Sequence, residues 1–165
     1  DAAQRNRVWQ LWTPNKAMGL TGIRAAYAIA PDDQAAVPLM QRLERLAPSW
    51  PLGTHGVALL ETWAGDEAQA WLARSLQTLR TWKAQQRAVC ESLGWHCHPS
   101  DANFFCARTD TSYLPLAPAL RADGIKLRDC ASFGLPGHVR VGVLPPQSQQ
   151  ALKEAWTRAA ASAED

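Results

Sequence analysis

A lysine, an arginine and a threonine hydroxyl fall within one glycine-punctuated stretch, Thr13-Pro-Asn-Lys-Ala-Met-Gly-Leu-Thr-Gly-Ile-Arg-Ala-Ala-Tyr27. Together they suit a ligand that is both an aldehyde and a phosphate. Lys16 supplies an amine; at the end of a buried strand its ammonium would lose hydration, which favours the neutral form that attacks a carbonyl. Arg24 offers a planar fork matched to a phosphate, and Thr13 offers a hydroxyl to the same anion. Pro14, Gly19 and Gly22 punctuate the backbone and allow it to approach a ligand closely. On spacing alone, a lysine and an arginine near strand ends are more often solvated surface charges.

A second set lies toward the C-terminus. Arg140 interrupts the apolar run His138-Val-Arg-Val-Gly-Val-Leu144, and a guanidinium in so apolar a strand needs a partner, either a structural carboxylate or a ligand. Arg128, in Lys126-Leu-Arg-Asp-Cys130, precedes it by one loop and belongs on the adjacent strand; a salt bridge with Asp129, or a simply solvated charge, is the competing role. His96-Cys97-His98, with Cys90 and Cys106 nearby, invites a metal reading. In a strand, however, His96 and His98 share a face while Cys97 points away, short of the ligand set zinc requires. No metal is expected. Ser132 and Ser148 have no histidine arrangement near them in sequence, so a serine hydrolase is not indicated.

These residues must be positioned by elements. Val8–Trp12 and Ile23–Ala30 are apolar runs that read as strands buried on both faces of a sheet. Pro31-Asp32-Asp33 breaks the second and caps a helix near Gln34, continuing as Val37–Leu46 with Leu39, Met40, Leu43 and Leu46 on one side. Ser49–Thr54 is a turn that can shape a pocket, and Thr54 can cap a helix over His55–Ala64. Glu67–Leu93 keeps helical spacing and is the longest element. Beyond Gly94 the pattern predicts strands at Trp95–His98, Asn103–Arg108, Ile125–Cys130 and His138–Leu144, with helices at Tyr113–Ala122 and Gln147–Ala161. Asp1–Arg7 reads as a loop or helix end, and Ala161–Asp165 as a fraying tail. Strands separated by helices imply an α/β layered module.

Composition narrows the class. The 165 residues carry a net charge of +2, with no basic patch for nucleic acid and no acidic tail. There is no apolar run long enough to span a membrane and no signal-like start, so no membrane partner and a cytoplasmic location are expected. Four cysteines without a Cys-x-x-Cys pair read as reduced thiols in a chain large enough to form a core. Eight tryptophans are expected to be mostly core or interface anchors.

The pattern Thr13, Lys16, Gly19, Leu20, Gly22, Arg24, followed by an apolar strand carrying Tyr27, resembles the cofactor-lysine motif of the class I/II aminotransferases, the fold type I pyridoxal-phosphate enzymes. Within that family, Pro-Asn-Lys-Ala-Met-Gly-Leu-Thr-Gly and the later Ala-Ser-Phe-Gly-Leu-Pro-Gly-His-Val-Arg-Val-Gly-Val-Leu-Pro-Pro are similar to the threonine-phosphate decarboxylases of cobalamin biosynthesis, relatives of the histidinol-phosphate aminotransferases.

The resemblance implies pyridoxal phosphate bound to Lys16, its phosphate held by Thr13 and Arg24, a substrate carboxylate gripped by Arg140 and a substrate phosphate by Arg128. It implies decarboxylation of a phosphorylated threonine, or else transamination of a phosphorylated amine, in a homodimer. Asn103 matches a recurrent family wording but receives no role. By the same resemblance, residues 1–66 end the large cofactor-binding domain, 67–93 form the linking helix and 94–165 the small C-terminal domain. The family's aspartate for the pyridinium nitrogen and its ring-stacking aromatic come from well upstream of the lysine, where Asp1 is too close to serve. The implied identity is therefore the C-terminal half of a longer enzyme, inactive alone. A rival expectation is a non-catalytic folded module that self-associates through exposed edges.

Overall fold

The computed structural model describes residue 4 and residues 6–164, so the loop or helix end expected at Asp1–Arg7 lies partly outside the described residues. The chain divides after Arg74 into two compact units.

In the first unit, β1 (Gln10–Trp12) and β2 (Tyr27–Ile29) form an antiparallel ribbon in which Trp12 faces Tyr27 and Gln10 faces Ile29. The lysine stretch is the connection between them. The expected burial on both faces is not found: Leu11 is 82% exposed, and Trp12 and Ile29 are exposed as well. Among the described residues this ribbon has no further strand beside it, and only Gln10 and Tyr27 are partly buried. Asp33 accepts a hydrogen bond from the Ala35 N–H at 2.9 Å and caps a 3-10 turn at Gln34–Ala36, which runs into α1 (Val37–Leu46). Pro38 sits in its first turn, where a missing N–H costs nothing. Leu39, Met40, Leu43 and Leu46 share a side as expected, but all are exposed. The next helix, α2 (Thr54–Ala64), is preceded by Gly53 at the cap position, and Thr54 is its first residue rather than its cap.

The long helix α3 (Asp66–Ser92) ends at Gly94, whose φ of +78° allows the Trp95 N–H to reach back to the Cys90 carbonyl. The second unit then builds a four-stranded sheet from β3 (His96–Cys97), β4 (Phe104–Arg108), β5 (Arg128–Asp129) and β6 (His138–Gly142), in the order β3-β4-β6-β5 and antiparallel throughout. One face is apolar. Phe105, Ala107, Val139 and Val141 pack against Leu116 and Leu120 of α4 (Tyr113–Ala122) and Leu152 and Trp156 of α5 (Pro146–Glu164). Trp95 meets Trp156 edge-on at 4.6 Å. Alternation along β4 and β6 turns Phe104, Cys106, Arg108, His138 and Arg140 to the opposite face.

Several boundaries differ from the sequence expectation for local reasons. Gly124, at φ +76°, turns the chain after α4 so that the Ile125 N–H caps the Leu120 carbonyl, which delays β5 to Arg128. Strand β6 stops at Gly142 because the Leu144 N–H bonds the Gln86 side chain and the Val143 N–H bonds the Asn103 carbonyl. Helix α5 runs through the segment expected to fray as far as Glu164, Asp165 being outside the described residues. Of the tryptophans, Trp95 and Trp156 are buried, whereas Trp50 is 90% exposed and Trp12 and Trp71 are also open to solvent. The anchoring role expected of most of them therefore holds for these two within this chain. No helix among the described residues is long and apolar enough to cross a membrane.

Candidate active site

The β1–β2 connection is a compact turn. Its backbone is tied by Met18 N–H to Pro14 O at 2.9 Å, Leu20 N–H to Asn15 O at 2.7 Å and Ile23 N–H to Leu20 O at 3.1 Å. Gly19 adopts φ +69°, a conformation that a side chain disfavours. Pro14 and Asn15 are buried under the turn while Lys16 stands exposed above them. The desolvation expected at Lys16 is thus not provided by this chain: the lysine follows a ribbon that is itself exposed.

Thr13, Asn15, Lys16, Arg24, Ala25 and Ala26 line a cleft of about 630 Å³ together with Pro51 and Leu52, so the Ser49–Thr54 turn does shape a pocket. Lys16 and Arg24, at opposite ends of the turn, both line this cavity. Among the described residues neither has an acidic partner. Two cations without an acidic partner among the described residues give the cleft a charge suited to an anion. Its volume falls within the range of small-molecule sites, and an amine, a fork and a polar wall fit a phosphate-bearing aldehyde.

The Thr13 hydroxyl behaves differently from expectation. Its proton is directed to the Ala25 carbonyl at 2.7 Å, with Asn15 Oδ1 3.1 Å away. The residue ties the start of the turn to its end, and in doing so fixes the backbone beside Arg24. Gly56 of α2 supports the same spot from outside: a β-carbon there would lie 3.1 Å from the Arg24 carbonyl oxygen and 3.4 Å from Ala25 Cβ. Neither Asn15 nor Gly56 was singled out from the sequence. Asn15 carried a signal, an amide flanked by Pro14 and Lys16 in a turn; Gly56 carried none, since its importance lies in a tertiary approach.

The second set of candidates lies on the polar face of the four-stranded sheet. Arg128 and Arg140 are directly paired across β5 and β6, and Cys106 is paired with Arg140 across β4 and β6. Arg140 is exposed, not embedded, because its neighbours Val139 and Val141 take the core face. Its guanidinium lies 5.1 Å from the centre of the Phe104 ring and 5.9 Å from that of Phe133. Arg128 lies 5.3 Å from the same Phe133 ring and donates to Ser132 Oγ at 3.3 Å. Neither arginine has a carboxylate partner among the described residues; the carboxylate of Asp129 instead accepts from the Ala131 N–H. Among the described residues, then, the ion pairs named as competing roles are not formed, while the exposure of Arg128 agrees with its alternative reading as a solvated charge.

The cysteines and histidines sort by face. Cys97 is buried and His96 exposed, as strand alternation requires. His98 is half-buried, and its Nε2 lies 3.0 Å from Nε2 of His138. Because His138 Nδ1 faces the Pro136 carbonyl at 2.9 Å, it must be the donor there, so in the neutral ring its Nε2 accepts from His98. Cys106 and Cys130 bring their sulfurs to 3.9 Å. Burial pushes the Cys130 thiol up to about 11, with the neighbouring Cys106 adding to the effect and the Arg140 charge opposing it. Burial likewise pushes Cys90 up to about 12, helped by Cys97. These are protonated structural thiols.

Residues 10–158 match the family Aminotransferase class I and II. The histidinol-phosphate aminotransferase of Symbiobacterium thermophilum is 30% identical over 147 residues, covering 87% of this chain and 38% of the relative. The structure resembles L-threonine-O-3-phosphate decarboxylase from Porphyromonas gingivalis, with a TM-score of 0.66 at 20% identity over 91% of this chain and 46% of that one. It also resembles histidinol-phosphate aminotransferase from Sinorhizobium meliloti in complex with pyridoxal-5'-phosphate, with a TM-score of 0.69 at 20% identity over 94% of this chain and 41% of that one. The chain thus spans less than half the length of these relatives.

Proposed function

Since the chain belongs to the class I and II aminotransferase family, we propose that the enzyme built around it uses pyridoxal phosphate to act on a phosphorylated amino acid, first of all decarboxylating L-threonine O-3-phosphate to aminopropanol phosphate in cobalamin biosynthesis. The observation that carries this reading is the ladder pair Arg128 and Arg140. Like charges directly opposite one another destabilise a sheet, and no carboxylate offsets them among the described residues. A substrate bearing both a carboxylate and a phosphate supplies the two missing counter-charges.

When bound, pyridoxal phosphate supplies an aldehyde that takes up amines and a ring that accepts the electron pair released at Cα. The chain's own residues do the rest. Lys16 would hold the cofactor through its amine and would serve as the proton-transfer group at Cα, delivering a proton there after decarboxylation or taking one away in transamination. Arg24 holds the cofactor phosphate. Thr13 keeps the turn closed behind Arg24 through the Ala25 carbonyl and lines the same cleft. Arg140 orients the substrate carboxylate and Arg128 its phosphate. A homodimer is the assembly this reading expects.

Transamination of histidinol phosphate is the second reading, favoured by the 30% identical relative. The two reactions differ in which bond at Cα breaks. Carbon dioxide release from threonine phosphate, assayed beside amine transfer from histidinol phosphate to 2-oxoglutarate with the full-length enzyme, separates them. Decarboxylation without transfer supports the first reading; transfer without carbon dioxide overturns it in favour of the second.

A further inference from the structure

We infer that Phe133 determines specificity for doubly anionic substrates, acting as one aromatic platform on which the Arg128 and Arg140 guanidiniums are held side by side. The inference rests on the assignment of those two arginines to the substrate.

Phe133 has no evident structural duty. Its side chain is 55% exposed and lies outside the buried cluster of the second unit. Its backbone, by contrast, is firmly set. It ends a 3-10 turn, Ala131–Phe133, with its N–H bonded to the Cys130 carbonyl at 2.9 Å and the Leu135 N–H bonded to the same carbonyl at 3.2 Å. Cys130 is in turn tied to β6 through its N–H and the His138 carbonyl at 2.9 Å. Gly134, at φ +76°, closes the turn. An exposed ring on a braced turn is positioned for something other than the core.

Its neighbours are the two cations. Arg128 and Arg140 lie 5.3 and 5.9 Å from its centre, both within the roughly 6 Å over which a ring face attracts a guanidinium. Two like charges paired across a ladder tend to splay apart. A shared ring that attracts both opposes the splaying and fixes the spacing at which their forks present. A ligand with two anionic groups requires that spacing, whereas a ligand with one does not. Phe104, 5.1 Å from Arg140 alone, can orient one guanidinium but cannot couple the pair.

The test is an NMR titration of the full-length enzyme without its cofactor, following the arginine Nε–Hε signals with O-phospho-L-threonine, L-threonine and inorganic phosphate as separate probes. Phe133→Leu is expected to weaken O-phospho-L-threonine about tenfold while changing inorganic phosphate by less than twofold, and Phe133→Tyr, which keeps the ring, is expected to restore the binding. If Phe133→Leu leaves O-phospho-L-threonine within twofold while Arg140→Ala abolishes its binding, the arginine assignment stands and the platform is overturned. If the unsubstituted full-length enzyme shows no arginine response to O-phospho-L-threonine, the arginine assignment falls and takes the platform with it.

Discussion

Arg128 and Arg140 face one another across the β5–β6 ladder, with no carboxylate partner for either among the described residues. Because both are exposed, Arg140→Ala should alter folding stability by less than about 0.5 kcal/mol. In the full-length enzyme it should raise KM for a carboxylate substrate by roughly 10- to 100-fold, the worth of a charge-assisted hydrogen-bond pair. Arg140→Lys should recover part of that loss, since it keeps the charge without the fork. A large fall in thermal stability with an unchanged KM would assign Arg140 to the fold instead.

Gln86 is buried, and its side-chain amide donates to the Gly142 carbonyl at 2.9 Å and accepts from the Leu144 N–H at 2.9 Å. It replaces the ladder bonds that β6 loses as it ends just past Arg140. Gln86→Leu removes both hydrogen bonds and should cost about 1–3 kcal/mol, roughly 0.5–1.5 kcal/mol for each, read from the urea midpoint. Gln86→Glu keeps the acceptor alone and should fall between. Equal stability of all three proteins would show that water satisfies these groups.

Gly56→Ala brings a methyl to 3.1 Å from the Arg24 carbonyl. Helix propensity favours alanine by about 1 kcal/mol, whereas forcing the backbone aside costs about 1–3 kcal/mol. The net expectation is a loss of about 1 kcal/mol accompanied by weaker pyridoxal phosphate binding, because the displaced segment carries Arg24. A variant more stable than the parent, with unchanged binding, would mean that the contact relaxes without strain.

What the sequence revealed and what it concealed divide along physical lines. Helices α1 and α4 were legible to their ends, because proline, aspartate and glycine act locally on the backbone. The alternation of Val139 and Val141 with Arg140 placed the arginine on a strand, yet its apolar neighbours suggested burial; in the structure they take one face and leave the arginine the other. Lys16, Arg24 and Thr13 were legible as a motif, and the structure brings them to one cleft. The Thr13 bond to Ala25, the Gly56 approach and the contact of His98 with His138 depend on tertiary closure and leave no periodic trace.

The buried cysteines predict a pH dependence of stability. Cys90 is held at about 12 and Cys130 at about 11, against 9.0 for the unperturbed thiol. Their contribution is complete below pH 9, where the thiols are protonated in both states. Above it the unfolded chain binds fewer protons than the folded one, so stability falls as pH rises toward 11 and 12. Urea unfolding between pH 8 and 11 should show the decline, and Cys90→Ala should reduce its slope. A slope unchanged in that variant would place the effect in other groups.

The central claim is that Lys16 and Arg24 form a receptor for pyridoxal phosphate. The most direct measurement is mass spectrometry of the chain after incubation with pyridoxal phosphate and borohydride reduction, with Lys16→Ala and Arg24→Ala alongside. A pyridoxyl adduct mapped to Lys16, absent in Lys16→Ala and requiring roughly tenfold more pyridoxal phosphate in Arg24→Ala, is the expected result. Modification spread over surface lysines and indifferent to both substitutions would contradict the claim.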